Sequence, residues 1–250
     1  MKLPDQTNPP DEATSRRHTP RPVSSKPRAY ESYRTCLRWE FGFTCSLCLL
    51  HEVQLAPFGA RGSRQFTIEH RELKKDRADL IGDYENVIYA CAKCNDARKT
   101  WPLQATGGSR LLDPCQDAWC EHFRLEADEL VPTTPHGQYT KVAYDLNSET
   151  KVSLRIERRE TLCAAREVLR DAPDLLEELR EGLADLPAEK QPSRIRMMEM
   201  LSTQIRRASQ TLEKYRAIPQ DHDDSCRCDH SEHHTLPSWM LRQLSPDGFQ

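Results

Sequence analysis

The 250-residue sequence contains no long apolar run. It has no run of 18 apolar residues that could cross a membrane, and residues 1–10 lack the apolar core of a secretory signal. We therefore expect a soluble cytoplasmic protein with no membrane partner. The mean hydropathy of −0.78 predicts that part of the length forms tails, loops or solvated helix rather than core.

The sequence also lacks a strong excess of charge of one sign. Its 36 Lys and Arg and 39 Asp and Glu give a net charge of −3, so no overall basic surface indicates nucleic-acid binding. Any such contact must come from a local patch. Residues 1–29 are rich in Pro, Ser, Thr and Arg and predict a disordered basic arm, either a solvated tail or a DNA contact.

Cysteine is plentiful, with ten residues. In a reducing compartment, paired cysteines bind metal more often than they form disulfides. Two Cys-x-x-Cys pairs, Cys45/Cys48 and Cys91/Cys94, supply the four thiolates of a closed structural zinc site. Zinc ribbons separate such pairs by roughly 15 to 20 residues, whereas residues 49–90 intervene here. A folded segment is therefore expected between the pairs.

That segment predicts a strand, a loop, a second strand and a helix. Residues 66–70 are β-branched and aromatic and end in Glu69-His70, and residues 86–91 form a second such run after a polar loop. Asn95 or Asp96 can cap a helix that begins there. This order predicts that Glu69, His70 and Asn95 lie close together.

These residues resemble the HNH endonuclease family, whose ββα-metal unit places an acid-His pair, an Asn and a His or Asn in this order. The sequence is similar to the H-N-N variant, with Glu in place of the commoner Asp before the His. The resemblance implies that Glu69 and Asn95 bind a catalytic divalent ion such as Mg²⁺, that His70 is the general base and that Asn86 orients the loop and the base. Three nearby basic residues are candidates for contact with phosphate: Lys99, Arg98 and Arg71.

The predicted function is metal-dependent hydrolysis of DNA phosphodiester bonds. A His with an ordinary pKa of about 6.5 can take a proton from water, and a divalent ion can bind the scissile phosphate. By analogy with the family, the protein is a bacterial defence or restriction effector acting with a partner. The alternative is a non-catalytic zinc module that binds nucleic acid or protein.

The predicted fold class is α+β. A ββα-metal core with a four-cysteine zinc knuckle, followed by a hairpin and helix extension, occupies residues 30–155. The extension comprises a hairpin around residues 123–131 and a helix from Thr134-Pro135 to Leu146-Asn147, and it resembles the segment that follows the nuclease unit in one bacterial HNH subfamily. Packing is favoured over a second metal site for three further residues: Cys115, Cys120 and His122.

Residues 156–218 predict a C-terminal helical hairpin. Two apolar stripes at helical spacing are separated by Pro187 and Pro192, and Pro173 predicts a bend or restart at Asp171. The stripes either pack on each other and on the nuclease unit, or serve a homodimer or a larger protein partner. Residues 219–250 predict a flexible tail that binds metal only adventitiously, although it contains several potential ligands: Cys226, Cys228, His230, His233 and His234.

Overall fold

The computed structural model describes residues 29–55, 65–99 and 101–216. The predicted arm and the predicted Cys/His tail lie outside these residues, apart from Ala29. The described chain divides into two compact units after Ile156. Both helices and strands are present, which confirms the α+β class. Their bounds are α1 Arg34–Glu40, α2 Glu52–Leu55, β1 Phe66–His70, β2 Val87–Cys91, α3 Ala92–Arg98, α4 Trp119–His122, β3 Phe123–Glu126, β4 Glu129–Pro132, α5 Pro135–Ala143, α6 Glu149–Glu181 and α7 Gln191–Arg216.

Strands β1 and β2 form the predicted pair. They are antiparallel, with Phe66 opposite Cys91 and His70 opposite Val87. This register places His70 at one end of the sheet and Cys91 at the other. The aromatic rings of Phe66 and Tyr89 stack at 4.9 Å between centroids, and burial of each such side chain contributes about 1.5–3 kcal/mol.

Helix α3 begins earlier than the sequence predicted. Cys91 ends β2 and is also the N-cap, with extended backbone at φ −68° and ψ 151°. The helix starts at Ala92, so Asn95 lies within it and does not cap it. The immediate strand-to-helix transition places Cys94 on the first turn, on the cysteine side of the sheet. Lys99 follows the helix with φ +40°.

The extension is built from a hairpin and a short helix, as predicted. Strands β3 and β4 pair antiparallel, and Ala127 and Asp128 make the turn with φ of +48° and +63°, as a two-residue hairpin requires. The Thr134 hydroxyl accepts a hydrogen bond from Gly137 N at 3.1 Å. Helix α5 ends at Ala143, shorter than the predicted end near Leu146. The buried core of this unit joins the extension to the sheet, and Trp119 stacks on Phe123.

The second unit is a helical hairpin formed by α6 beyond Ile156 and by α7. Its buried contacts come from the predicted stripes: Leu162, Ala165, Ala172, Leu176, Ala208, Leu212 and Tyr215. The Arg194 guanidinium donates to the Leu179 and Glu178 carbonyls, so the start of α7 lies beside the end of α6. Within the described part of the chain, no helix has the length and apolar character needed to span a membrane.

Pro173 does not produce the restart that was one of its two predicted effects. Helix α6 continues through Pro173 as one element and does not restart at Asp171. Ala172 and Leu176 are buried on either side of it, so tertiary packing outweighs the hydrogen bond that the proline removes. Pro192 lies in the first turn of α7, where a missing N–H costs no intrahelical bond.

Candidate metal centre and adjoining polar site

The four cysteines of the two Cys-x-x-Cys pairs converge, as predicted. Cys45 and Cys48 lie on a tight turn that Cys45 N closes by donating to Leu50 O at 2.8 Å. Leu49 adopts φ +67° within that turn. A hydrogen bond of 2.9 Å from Ser46 N to Tyr89 O fixes the turn against β2, the strand that ends at Cys91. The sequence-distant pairs are therefore joined through the sheet.

The geometry of this four-cysteine cluster suits a metal ion. All four side chains are buried and their sulfur atoms lie within 4.8 Å of one another. The Cys48 and Cys91 Sγ atoms are 3.6 Å apart, too far for a disulfide and close to the S···S edge of about 3.8 Å of a tetrahedron with 2.3 Å Zn–S bonds. Among the described residues, this is the one group of acidic, Cys or His side chains arranged to hold a metal.

The electrostatics of the cluster favour a bound cation. Burial opposes ionisation of the Cys45 thiol, but hydrogen bonds with the other three cysteines lower its pKa. Hydrogen bonding with Cys45 raises the pKa of the Cys91 thiol, and burial raises that of Cys94. Four buried thiolates repel one another, so they do not all ionise unless a positive charge binds among them. A divalent ion supplies that charge and releases the protons.

His70 lies at the far end of β1 from the cysteines, 4% exposed. Its Nε2 is 3.1 Å from the Ile81 carbonyl oxygen, and its ring packs edge-on against Tyr30 at 4.6 Å between centroids. Burial lowers the pKa of His70 to about 4, so the ring is neutral near pH 7. A proton on Nε2, donated to Ile81, leaves Nδ1 as the basic nitrogen.

Asn86 ties down the loop that carries Ile81. Its Oδ1 accepts a hydrogen bond from Glu72 N at 2.8 Å, and its Nδ2 donates to Leu80 O at 3.1 Å. The amide thus joins both ends of the loop between β1 and β2. Asn86 positions the His70 ring indirectly, through the Ile81 carbonyl. The orienting role that the resemblance implies for Asn86 stays a prediction.

Glu69 forms a buried ion pair that the sequence did not predict. Its Oε1 accepts a hydrogen bond of 2.6 Å from Arg98 Nη1, and both side chains are almost fully buried. Arg98 also donates to the carbonyls of His70 and Arg71. Burial raises the pKa of Glu69, and the charge of Arg98 opposes that rise. Arg98 therefore fastens α3 to the end of β1.

The three predicted phosphate contacts differ in position. Arg98 is buried against Glu69 and points its charge into the protein, away from any phosphate in solvent. Arg71 pairs with Asp113 at 2.8 Å and is 21% exposed, whereas Lys99 is exposed after α3. A further exposed lysine, Lys74, reaches the candidate base through Tyr30. Its Nζ is 2.5 Å from the Tyr30 hydroxyl, and the Tyr30 ring contacts the His70 ring.

The implied catalytic ion would use the Glu69 carboxylate and the Asn95 amide oxygen. These donors are of the type that hard divalent ions prefer. Asn95 is half-buried on α3, three residues before Arg98, so both residues lie on one helix face. The Glu69 carboxylate is already bonded to Arg98, however, and an ion there must share or replace that bond.

The other candidate ligands do not converge. Cys115 is half-buried and Cys120 exposed, and His122 Nδ1 is 2.8 Å from the Thr134 hydroxyl. Packing and hydrogen bonding thus account for His122.

Two buried cations beside the four-cysteine cluster, Lys151 and Arg155, were also not predicted, because charged residues at the start of an amphipathic helix normally face solvent.

No protein-family model, curated protein or solved structure matches this chain. The geometry of its own residues therefore carries the functional argument.

Proposed function

We propose that the protein is an HNH-type endonuclease that hydrolyses nucleic-acid phosphodiester bonds, with DNA as the expected substrate. The observation that supports this most strongly is that Asn86 holds the Leu80 carbonyl and that the next carbonyl, of Ile81, holds the His70 ring. A neutral histidine oriented in this way can act as a general base. The four-cysteine cluster then serves as a structural zinc site that fixes β2 and α3.

His70 would take the proton of the attacking water at Nδ1, while Nε2–H keeps donating its hydrogen bond to the Ile81 carbonyl. Burial keeps the ring unprotonated near neutral pH, although a pKa of about 4 makes it a weak base. The Lys74 ammonium supplies positive charge beside the ring and can meet a phosphate oxygen. A divalent ion held by Glu69 and Asn95 would stabilise charge on the phosphate and the leaving oxygen.

A non-catalytic zinc module is the second candidate, and the Glu69–Arg98 pair favours it. A carboxylate neutralised by a buried arginine stabilises a fold without needing an ion. In this alternative the four-cysteine cluster and the sheet present a binding surface, and His70 is an ordinary buried histidine without a catalytic role.

The deciding experiment is a cleavage assay with the full chain. Supercoiled plasmid, single-stranded DNA and RNA are each incubated with Mg²⁺, Mn²⁺ or Ni²⁺, and with no added ion. The variant His70→Gln is compared with His136→Ala, a histidine whose ring accepts a hydrogen bond from Arg110 N instead. Zinc content and circular dichroism establish that each protein is folded.

Ion-dependent cutting by the wild type and by His136→Ala, lost in folded His70→Gln, is the expected result. Cutting that His70→Gln retains would remove His70 as the base. Absence of cutting on all three substrates, with nucleic-acid binding retained, would favour the binding module.

A further inference from the structure

Lys151, at the start of α6, is a buried cation beside the four-cysteine cluster. It is 1% exposed, and its Nζ donates to the carbonyls of Tyr144 and Asp145 at 2.7 and 2.8 Å. Among the described residues, no carboxylate oxygen lies within 4 Å of this ammonium group. Neutral carbonyl oxygens accept its hydrogen bonds, but they carry no formal charge that could balance the ammonium group.

Arg155, one helical turn later, is in the same situation. It is 5% exposed and also has no carboxylate partner within 4 Å in the described part of the chain. One of its hydrogen bonds reaches the cluster, from Nη1 to the Cys48 carbonyl at 3.4 Å. The others go to neutral acceptors: Asp128 O, Leu146 O and Asn147 Oδ1.

Two buried, unpaired positive charges are costly. Moving an ion out of water costs several kcal/mol even after relaxation, unless an opposite charge lies nearby. When the cluster cysteines are ionised, their sulfurs are the foremost negative groups acting on both cations, Cys94 on Lys151 and Cys48 on Arg155. The carboxylates of Asp145, Asp128 and Glu129 act less strongly than those sulfurs.

The formal charges balance for one type of ion. Four thiolates around a divalent ion carry two negative charges, and one lysine and one arginine carry two positive ones. With four neutral thiols instead, both cations would lack a strong opposite charge. A trivalent ion would leave one cation uncompensated.

We propose that Lys151 and Arg155 are the counterions of a divalent metal held by the four-cysteine cluster. The metal centre and the first two turns of α6 then form one electrostatic unit, and metal retention depends on a helix that supplies no ligand. Partners outside the ligand set commonly change metal affinity by about 10 to 100-fold. This inference does not depend on the nuclease proposal, because a binding module needs the same charge balance.

The test compares loss of each cation with its conservative replacement in the zinc-loaded full chain. Lys151→Met removes the charge and Lys151→Arg keeps it. Arg155→Met and Arg155→Lys form a second pair, in case Lys151→Met does not fold. Arg158→Met is the matched control, because Arg158 is a buried arginine of the same helix whose guanidinium lies over the Tyr215 ring. Zinc affinity and the rate of zinc release are measured against a chromogenic chelator.

The charge-removing variants should bind zinc about 10 to 100-fold more weakly, while the charge-keeping variants and Arg158→Met stay within about threefold of wild type. Urea unfolding adds a second readout, because Lys151→Met should destabilise the zinc-loaded protein more than the chelator-treated one. Equal zinc release by the Met variants and by their Lys or Arg counterparts would overturn the proposal. It would show that zinc retention does not depend on either cation.

Discussion

The Glu69–Arg98 pair makes the sharpest prediction about stability. Arg98→Met keeps the length of the side chain but leaves the buried Glu69 carboxylate and two carbonyls without their donor. Breaking a buried pair from one side costs about 3–5 kcal/mol. Glu69→Gln should cost less, about 1–3 kcal/mol, because Arg98 keeps the carbonyls of His70 and Arg71 and the amide oxygen can still accept a hydrogen bond.

Urea unfolding of the zinc-loaded protein, followed by tryptophan fluorescence, measures these losses. Arg77→Met is the control, because Arg77 pairs with Asp79 at 2.6 Å but both side chains are about half exposed, and such exposed pairs contribute little to stability. The expected order of loss is Arg98→Met, then Glu69→Gln, then Arg77→Met. In thermal unfolding, Arg98→Met should lower Tm by about 6–20 °C. If Arg98→Met lost no more stability than Arg77→Met, the assignment of Arg98 as the fastening of α3 to β1 would be refuted.

Three further predictions concern His70, Asn86 and the cysteines. The pKa of His70 is lower in the folded protein, about 4, than the ordinary 6.5, so its contribution to stability is full above pH 6.5 and is lost as pH falls towards 4. Between pH 7 and 5.5 the wild type should lose about 1 kcal/mol more than His70→Gln in urea unfolding without added magnesium, and a pH-independent difference would contradict this. Asn86→Ala should cost about 1–3 kcal/mol by leaving Glu72 N without its acceptor, and hydrogen exchange should rise at that amide but not at Leu111 N, which donates to Leu103 O. Cys91→Ser should lower zinc content and melting temperature together, whereas Cys120→Ser, at an exposed cysteine, should change neither, and retained zinc in Cys91→Ser would remove that residue from the ligand set.

The elements around the site could be predicted because their signals are local. The β-branched and aromatic runs at residues 66–70 and 86–91 predict two strands, and the register places the Cys-x-x-Cys pairs at one end of the sheet. The predicted start of α3 was wrong because it followed the N-capping preference of Asn95. Asn95 is a good N-cap, but the metal-ligand spacing requires Cys94 already on the first turn, and this tertiary requirement outweighs the capping preference.

The buried charges could not be predicted in the same way. Arg98 lies beside Lys99 in the sequence, and nothing local shows that one points inward and the other into solvent. Lys151 and Arg155 likewise belong to a helix rich in Arg and Glu. Their burial follows from the packing of α6 beside the cluster, over sequence separations of about 100 residues, as between Arg155 and Cys48. Sequence patterns report one helix face and carry no information about such partners.

The Glu69–Arg98 pair also constrains the nuclease hypothesis. The resemblance assigns Glu69 to a divalent ion, and the structure bonds its Oε1 to Arg98. An ion that displaced Arg98 would have to offset the loss of a buried pair. A cost of about 3–5 kcal/mol weakens ion binding by about two to four orders of magnitude. An ion that instead used the second carboxylate oxygen would avoid this cost and keep α3 fastened to β1. Under the nuclease hypothesis, Glu69 therefore serves both the arginine and the ion, one oxygen each, and Arg98→Met should weaken the fold without removing the ion site.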